Sequence, residues 1–351
     1  SMNYSTEQYA RDIVWEIKSA CAEAGVPHPN IISESGRALT AHHAVLVTEV
    51  MDVAEVPAPP AQLEPAPSQD EKILELESLY RDLSLKNCQE SLNDAIALRD
   101  EFLQRFVQGN ISLVERAFAE RGLRFLFTRI NELRDKLKHI PEDFLVLDGM
   151  LKDTYFCNFS VFQSILDHWA IGQLFPIMPI HRLDTEPTRR AVIADLTCDS
   201  DGKIDKFIGR QDVNGHIDLH PYRPDQPYYL GIFLVGAYQE CLGNLHNLFG
   251  DTNAVHVDVD EAGTPRITSI VEGDTIKEVL SYVQYGADEL LSGINNLIDN
   301  AVRGGTMSAE EAAKFMHRYK ESLSGYTYLL WESPSGNGAQ KNSDGAVAAN
   351  S

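Results

Sequence analysis

Thr197-Cys198-Asp199-Ser200-Asp201-Gly202 sets a thiol among carboxylates directly after the apolar run Ala191-Val192-Ile193-Ala194. The end of a buried strand is a common place for a sheet to present working side chains. Adjacent negative charge opposes thiolate formation, so Cys198 is a poor nucleophile but remains able to give a proton. The same stretch also reads as an Asp-rich turn with a buried core cysteine. A calcium loop is excluded, because Lys203 stands where a third oxygen ligand belongs and the closing Glu is absent.

Three further clusters carry chemistry. Glu34-Ser35-Gly36-Arg37 places a carboxylate and a guanidinium on one turn, where one can meet a ring nitrogen and the other a phosphate. It equally reads as a strand-end turn with a surface Arg. Gly236-Ala237-Tyr238 offers a phenol to a phosphate, or an amphipathic Tyr to a β-rich core. Asp167-His168-Trp169 reads as a carboxylate site or as turn chemistry. His42-His43 reads as strand residues facing the core or an interface, since neighbours on a strand point to opposite faces and do not chelate one ion. No HExxH or Cys/His spacing implies a metal, and no phosphate loop, dinucleotide fingerprint or GxSxG occurs.

These clusters need elements to hold them. Ser5 with Gln8 matches a capping box, Tyr9, Ile13, Ile17 and Cys21 form an i+4 stripe, and Gly25 and Pro27 end the helix. Residues 30–37 and 44–50 read as strands. Residues 56–69 are rich in Pro and Ala and read as a linker. From 71 to about 139 the pattern is helical, with one stripe of Ile73, Leu76, Tyr80 and Leu83 and another of Leu92, Ile96, Leu103 and Phe106. Strand signals return from 154 to 270, including 191–197 and 255–259. Residues 274–332 are helical, and the Gly/Ser/Asn/Ala-rich tail, 333–351, reads as disordered.

The 351 residues carry a net charge of −22, which opposes nucleic acid and anionic membranes as partners. Bulk acidity is compatible with a cationic ligand. The five cysteines, irregularly spaced and without CxxC, argue for a reduced, cytoplasmic compartment. No signal peptide or membrane-spanning apolar run is read.

Taken in order, Glu34 to His43, Asn158 to Ser164, Cys198 to Gly202, Gly236 to Glu240 and Asn247 to Asp251 closely resemble the C-terminal part of biosynthetic arginine decarboxylases. These belong to the alanine-racemase-like pyridoxal-phosphate group that includes ornithine and diaminopimelate decarboxylases. The resemblance runs to about Leu329. It implies an α+β fold: residues 1–40 as the end of a TIM-like cofactor barrel, 41–55 and 154–273 as a β domain, 70–150 as a helical insert, and 274–332 as a C-terminal helical domain.

The resemblance also implies roles. Glu34 would hold the pyridine nitrogen of pyridoxal 5'-phosphate, and Gly36, Arg37 and Tyr238 its phosphate. Cys198 would return a proton to the substrate α-carbon. Asp199 and Asp201, with Asp167 as a further candidate, would face the cationic end of L-arginine. The product would be agmatine, for polyamine and spermidine synthesis. Magnesium is associated with the family, yet no ligand set for it is read. The Cys-Asp loop would work in a neighbouring subunit's site, which implies a homo-oligomer, at least a dimer. The twelve lysines stand in no context like the family's Schiff-base lysine, so the chain alone is expected to be inactive and to be one piece of a longer or split enzyme. A non-catalytic, decarboxylase-derived regulatory subunit and a decarboxylase of another basic amino acid are the alternatives. The joint retention of Glu34, Arg37, Cys198 and Asp199 favours an enzyme.

Overall fold

The computed structural model describes residues 5–209 and 212–330, so the tail expected at 333–351 lies outside the described residues. The first helix, α1 (Thr6–Ala24), starts where the Ser5 hydroxyl accepts from the Gln8 amide at 3.1 Å and ends at Gly25, whose φ is 64°. Of its stripe only Cys21 is buried.

The strand expected at 30–37 does not form. Residues 26–35 have no regular structure, and α2 (Gly36–Thr40) and a 3₁₀ turn (Ala41–His43) follow. Ile31 and Ile32 favour a strand, but nothing pairs with them, and β preference depends on a ladder and a packed face. His42 and His43 are therefore exposed on a turn, neither on a strand nor in the core.

After β1 (Val45–Ala54) the Pro-rich stretch stays irregular, yet it is strapped down: Leu63 and Ala66 pack on a helical core and the Tyr80 hydroxyl donates to the Pro60 carbonyl. That core belongs to α3 (Glu71–Asp82), α4 (Cys88–Val107), α5 (Leu113–Arg134) and α6 (Leu145–Met150). Ile73, Leu76, Tyr80 and Leu83 are buried as their spacing predicts. On α4 the expected stripe holds for Leu92, which is buried, and Ile96, which packs on the core, and fails beyond them. Leu92, Ala95, Leu98 and Phe102 are buried, while Leu103 and Phe106 are exposed. The small Ala95 shares the bundle core with Ala119 of α5 and lies on the buried face, beside Leu98 and Phe102.

The sheet elements are β2 (Asp153–Cys157), α7 (Val161–Ser164), α8 (Leu166–Ile171), β3 (Ile177–Pro179), β4 (Arg189–Ala194), β5 (Lys203–Ile204), β6 (Phe207–Ile208), β7 (Val213–Asn214), β8 (Ile217–Leu219), β9 (Tyr229–Phe233) and α9 (Gln239–Leu242). The main sheet runs β3-β9-β1-β2-β4-β5, with β8 also on β4. Every pairing is antiparallel except β2 with β4. That parallel pair needs a crossover, and the crossover carries α7 and α8. The core beneath joins Val50, Tyr155, Ile193 and Ile232 to Phe159, Val161 and Ile165 of the crossover. Buried Asp153 fastens the sheet, accepting two bonds from Arg189 at 2.6 and 2.7 Å and one from the Val56 amide at 2.7 Å.

The chain divides into two compact units after Gly243. In the second unit a hairpin of β10 (Ala254–Val259) and β11 (Pro265–Val271) precedes α10 (Ile276–Tyr282), α11 (Ala287–Arg303) and α12 (Ala309–Leu323). Reciprocal capping boxes at Thr275/Glu278 and Ser308/Glu311 start α10 and α12. Among the described residues no helix is long and apolar enough to cross a membrane.

Candidate functional site

The short helix α8 is the hub. Asp167, in its first turn, is buried and accepts from Arg37 Nη2 at 2.7 Å and from Gln239 Nε2 at 2.8 Å. Its amide donates back to Gln239 Oε1 at 3.1 Å. One carboxylate thus joins α2, α8 and α9, which are distant in sequence. Arg37 Nη1 is buried with no hydrogen-bond partner, and its guanidinium carbon lies 5.0 Å from the centre of the Tyr238 ring.

Tyr238 caps α9 with φ of 68°, a backbone region that non-glycine residues rarely adopt. Its hydroxyl lies where a Cβ on Gly36 would be, so only glycine at 36 permits that approach. Gly236 lies as close to the α2 side: a Cβ there would strike the Thr40 carbonyl and the His43 ring, and its amide donates to the Ala41 carbonyl at 2.9 Å. The result is a cradle with an unused N–H and a phenol directed by backbone geometry, suited to an oxyanion.

The Cys198 loop is built on Asp195. This buried carboxylate accepts from the Val161 amide at 2.8 Å, the Thr197 amide at 2.8 Å and the Thr197 hydroxyl at 2.7 Å. Burial pushes its pKa up, against the pull of those three donors. A Cβ at Gly202 would collide with Asp195 and Thr197, so the loop closes tightly over this carboxylate. The Asp195 amide donates to the Gly202 carbonyl at 2.8 Å, and the Asp201 amide to Asp199 Oδ1 at 2.9 Å. Cys198 is exposed, which removes the reading of a buried core cysteine. Asp201 is also exposed, and its Oδ2 accepts from Trp169 Nε1 at 3.2 Å.

Gly36, Arg37, Asp167 and Tyr238 are therefore brought together, and Trp169 ties Asp201 to the same helix. Glu34 stands exposed in the irregular segment three residues before Arg37. Sequence reasoning singled out neither Asp195 nor Gln239. The one available signal for Asp195 was a carboxylate ending the apolar run Ala191–Ala194; Gln239 lay within the stretch Gly236–Glu240, but nothing there foretold its bond to Asp167 across 72 residues. Among the described residues no group of three or more His, Cys, Asp or Glu side chains is placed to hold a metal.

Comparison with known proteins follows this geometry. The arginine decarboxylase helical bundle domain matches residues 66–148, and the arginine decarboxylase C-terminal helical extension matches 276–329. The chain is 46% identical over 329 residues to a biosynthetic arginine decarboxylase of Bacteroides thetaiotaomicron, covering 94% of this chain and 52% of the relative. It is 48% identical over 340 residues to that of Gloeobacter violaceus, covering 95% of this chain and 52% of the relative. The crystal structure of the biosynthetic arginine decarboxylase of Campylobacter jejuni superposes with a TM-score of 0.76 at 31% identity, over 93% of this chain and 52% of that one. The chain thus spans about half the length of the relatives it matches, and over that half it is similar to biosynthetic arginine decarboxylases in its helical bundle, its C-terminal extension and this level of identity.

Proposed function

We propose that this chain is the portion of an arginine decarboxylase that supplies the phosphate clamp, the proton donor and the readers of the guanidinium. The reaction would convert L-arginine to agmatine and CO2 for polyamine synthesis in the cytoplasm. The observation that carries this reading is the cradle of Arg37, Gly36 and Tyr238, with its buried, unpartnered Nη1, in a chain similar to biosynthetic arginine decarboxylases. A donor without an acceptor beside a phenol fits the phosphate end of pyridoxal phosphate. That cofactor, when bound, supplies the electron sink for the pair left as CO2 departs.

Arg37 and Tyr238 hold the phosphate by charge-assisted hydrogen bonds, and Asp167 with Gln239 orients Arg37. Glu34 keeps the pyridine nitrogen protonated. Cys198 gives its proton to the α-carbon once the bond to the carboxylate has broken. Asp199 and Asp201 face the guanidinium, which favours paired carboxylate acceptors. Asp167 is the lesser candidate for that role, because Arg37 and Gln239 already occupy its carboxylate. Residues 1–40 are read as the end of the cofactor barrel. The site is completed across subunits of at least a dimer, and the lysine that carries the cofactor comes from the part of the family length this chain does not span.

Arginine-dependent CO2 release, assayed with pyridoxal phosphate, tests the reading on the chain alone and on the chain joined to that remaining part. Release is expected only from the joined protein. There Cys198→Ala should slow it by about 10²-fold or more, or divert it to a transamination-like product. A folded joined protein that releases no CO2 from arginine would sink the arginine reading, and release by the chain alone would sink the need for a further lysine.

A further inference from the structure

Trp169 has no role in the scheme above, yet its surroundings are specific. It lies two residues after Asp167 on α8, and at 3.6 residues per turn such neighbours point about 200° apart. Asp167 therefore faces inward to Arg37, and Trp169 faces outward to the Cys198 loop. Two contacts fix its ring. The indole N–H donates to Asp201 Oδ2 at 3.2 Å, and buried Phe162 meets the ring edge-to-face at 5.4 Å between centroids and 69° between planes. The side chain nevertheless remains 49% exposed. A held, half-open indole beside a carboxylate is a prepared surface for a flat cation.

Among the described residues the Asp201 carboxylate has the Trp169 N–H beside it but no cationic partner. Lys203, its nearest basic neighbour in sequence, pairs instead with Asp205 at 3.2 Å, and among the described residues no Lys, Arg or His forms an ion pair with Asp201. A guanidinium is planar, weakly hydrated and forked. It can lay its face on an indole while its edge pairs with a carboxylate. An ammonium is a strongly hydrated point charge and gains less from the ring.

We propose that Trp169 is a specificity-determining residue whose indole face, with the Asp201 carboxylate on its edge, receives a guanidinium in preference to an ammonium. This deepens the arginine reading and rests on it. The experiment is a titration of the purified, isotope-labelled chain with agmatine and with putrescine, following the indole N–H resonances by NMR, with circular dichroism as a check of folding. Agmatine should shift the Trp169 resonance and bind about 3–30-fold more tightly than putrescine. Trp169→Ala should bring the two affinities together. Trp169→Phe, which keeps a face and loses the N–H, should retain most of the preference, and Asp201→Asn should weaken both ligands. An agmatine-to-putrescine ratio unchanged in folded Trp169→Ala, or a silent Trp169 resonance while agmatine binds, overturns the proposal and leaves the arginine reading standing. No agmatine binding at all overturns the proposal for this chain, and the decarboxylation assay then judges the arginine reading separately.

Discussion

At the scale of single residues, two contacts decide whether the site exists. Gly36 yields its Cβ space to the Tyr238 hydroxyl, so Gly36→Ala must displace the phenol or the α2 backbone. Weaker retention of pyridoxal phosphate is expected, by about tenfold or more, read by absorbance titration of the joined protein. Unchanged retention would mean that the Tyr238 approach is incidental. Asp195 is the second. It has one oxygen for the Val161 amide and one for both Thr197 donors, and an Asn would turn one of these acceptors into a donor. Asp195→Asn is expected to destabilise by about 1–3 kcal/mol and to free the loop. Peptide-level mass spectrometry should then show exposed Cys198 alkylated faster while exposed Cys241 keeps its rate. Equal rates before and after substitution would remove Asp195 as the loop's support.

At the scale of elements, the helical bundle has its own acid lock. Asp70 caps α3 through the Lys72 amide at 3.0 Å and accepts two bonds from Arg105 of α4 at 2.8 and 2.5 Å. The guanidinium beside it holds the Asp70 carboxyl below the usual carboxylate range. The folded bundle therefore binds that proton less readily than the unfolded chain. The pairing stabilises fully above the unfolded value of about 3.9 and is lost as pH falls through the lower folded value. Asp70→Ala should reduce stability at pH 7 by about 1 kcal/mol or more, measured by urea unfolding. Its difference from wild type should shrink in acid, and a difference that stays constant to about pH 2 would show that the pairing contributes nothing.

At the scale of the molecule, large apolar side chains remain on the surface. Val14 and Trp15 of α1 are exposed, as are Val255, Val257, Ile267 and Ile270 of the hairpin and Leu297 of α11. On the hairpin Val255 pairs with Ile270 and Val257 with Ile267, and neighbouring apolar side chains of this kind mark an interface. On the proposed reading, the rest of the family length and a second subunit cover parts of it. The chain alone should therefore enhance anilinonaphthalene sulfonate fluorescence and self-associate in sedimentation velocity. The joined protein should bind less dye per chain and sediment as a dimer or larger. A joined protein that stays monomeric would sink the shared-site reading. The charge of −22 opposes association through self-repulsion, but it does not choose the substrate.

Much was legible in the sequence because it was local. The start and end of α1, the core face of α3 and the strand read at 44–50, which forms as Val45–Ala54, follow from caps and periodicity that a few neighbouring residues specify. The four clusters were visible as residue types, and three of them, in order with 158–164 and 247–251, carried the resemblance. Where packing decides, local signals failed. Ile31 and Ile32 found no strand partner, and the α4 stripe failed at Leu103 and Phe106, which are exposed. The clamp itself could not be read. Arg37, Asp167 and Gln239 meet across separations of 130 and 72 residues, through a parallel crossover that brings α8 against α2 and α9. The sequence by itself determined which chemical groups the protein owns and the short elements that carry them, because those depend on neighbours along the chain. Only the tertiary structure decided that one buried carboxylate joins the clamp and that the next outward ring meets Asp201, because side-chain direction is set by burial in a core assembled from distant segments.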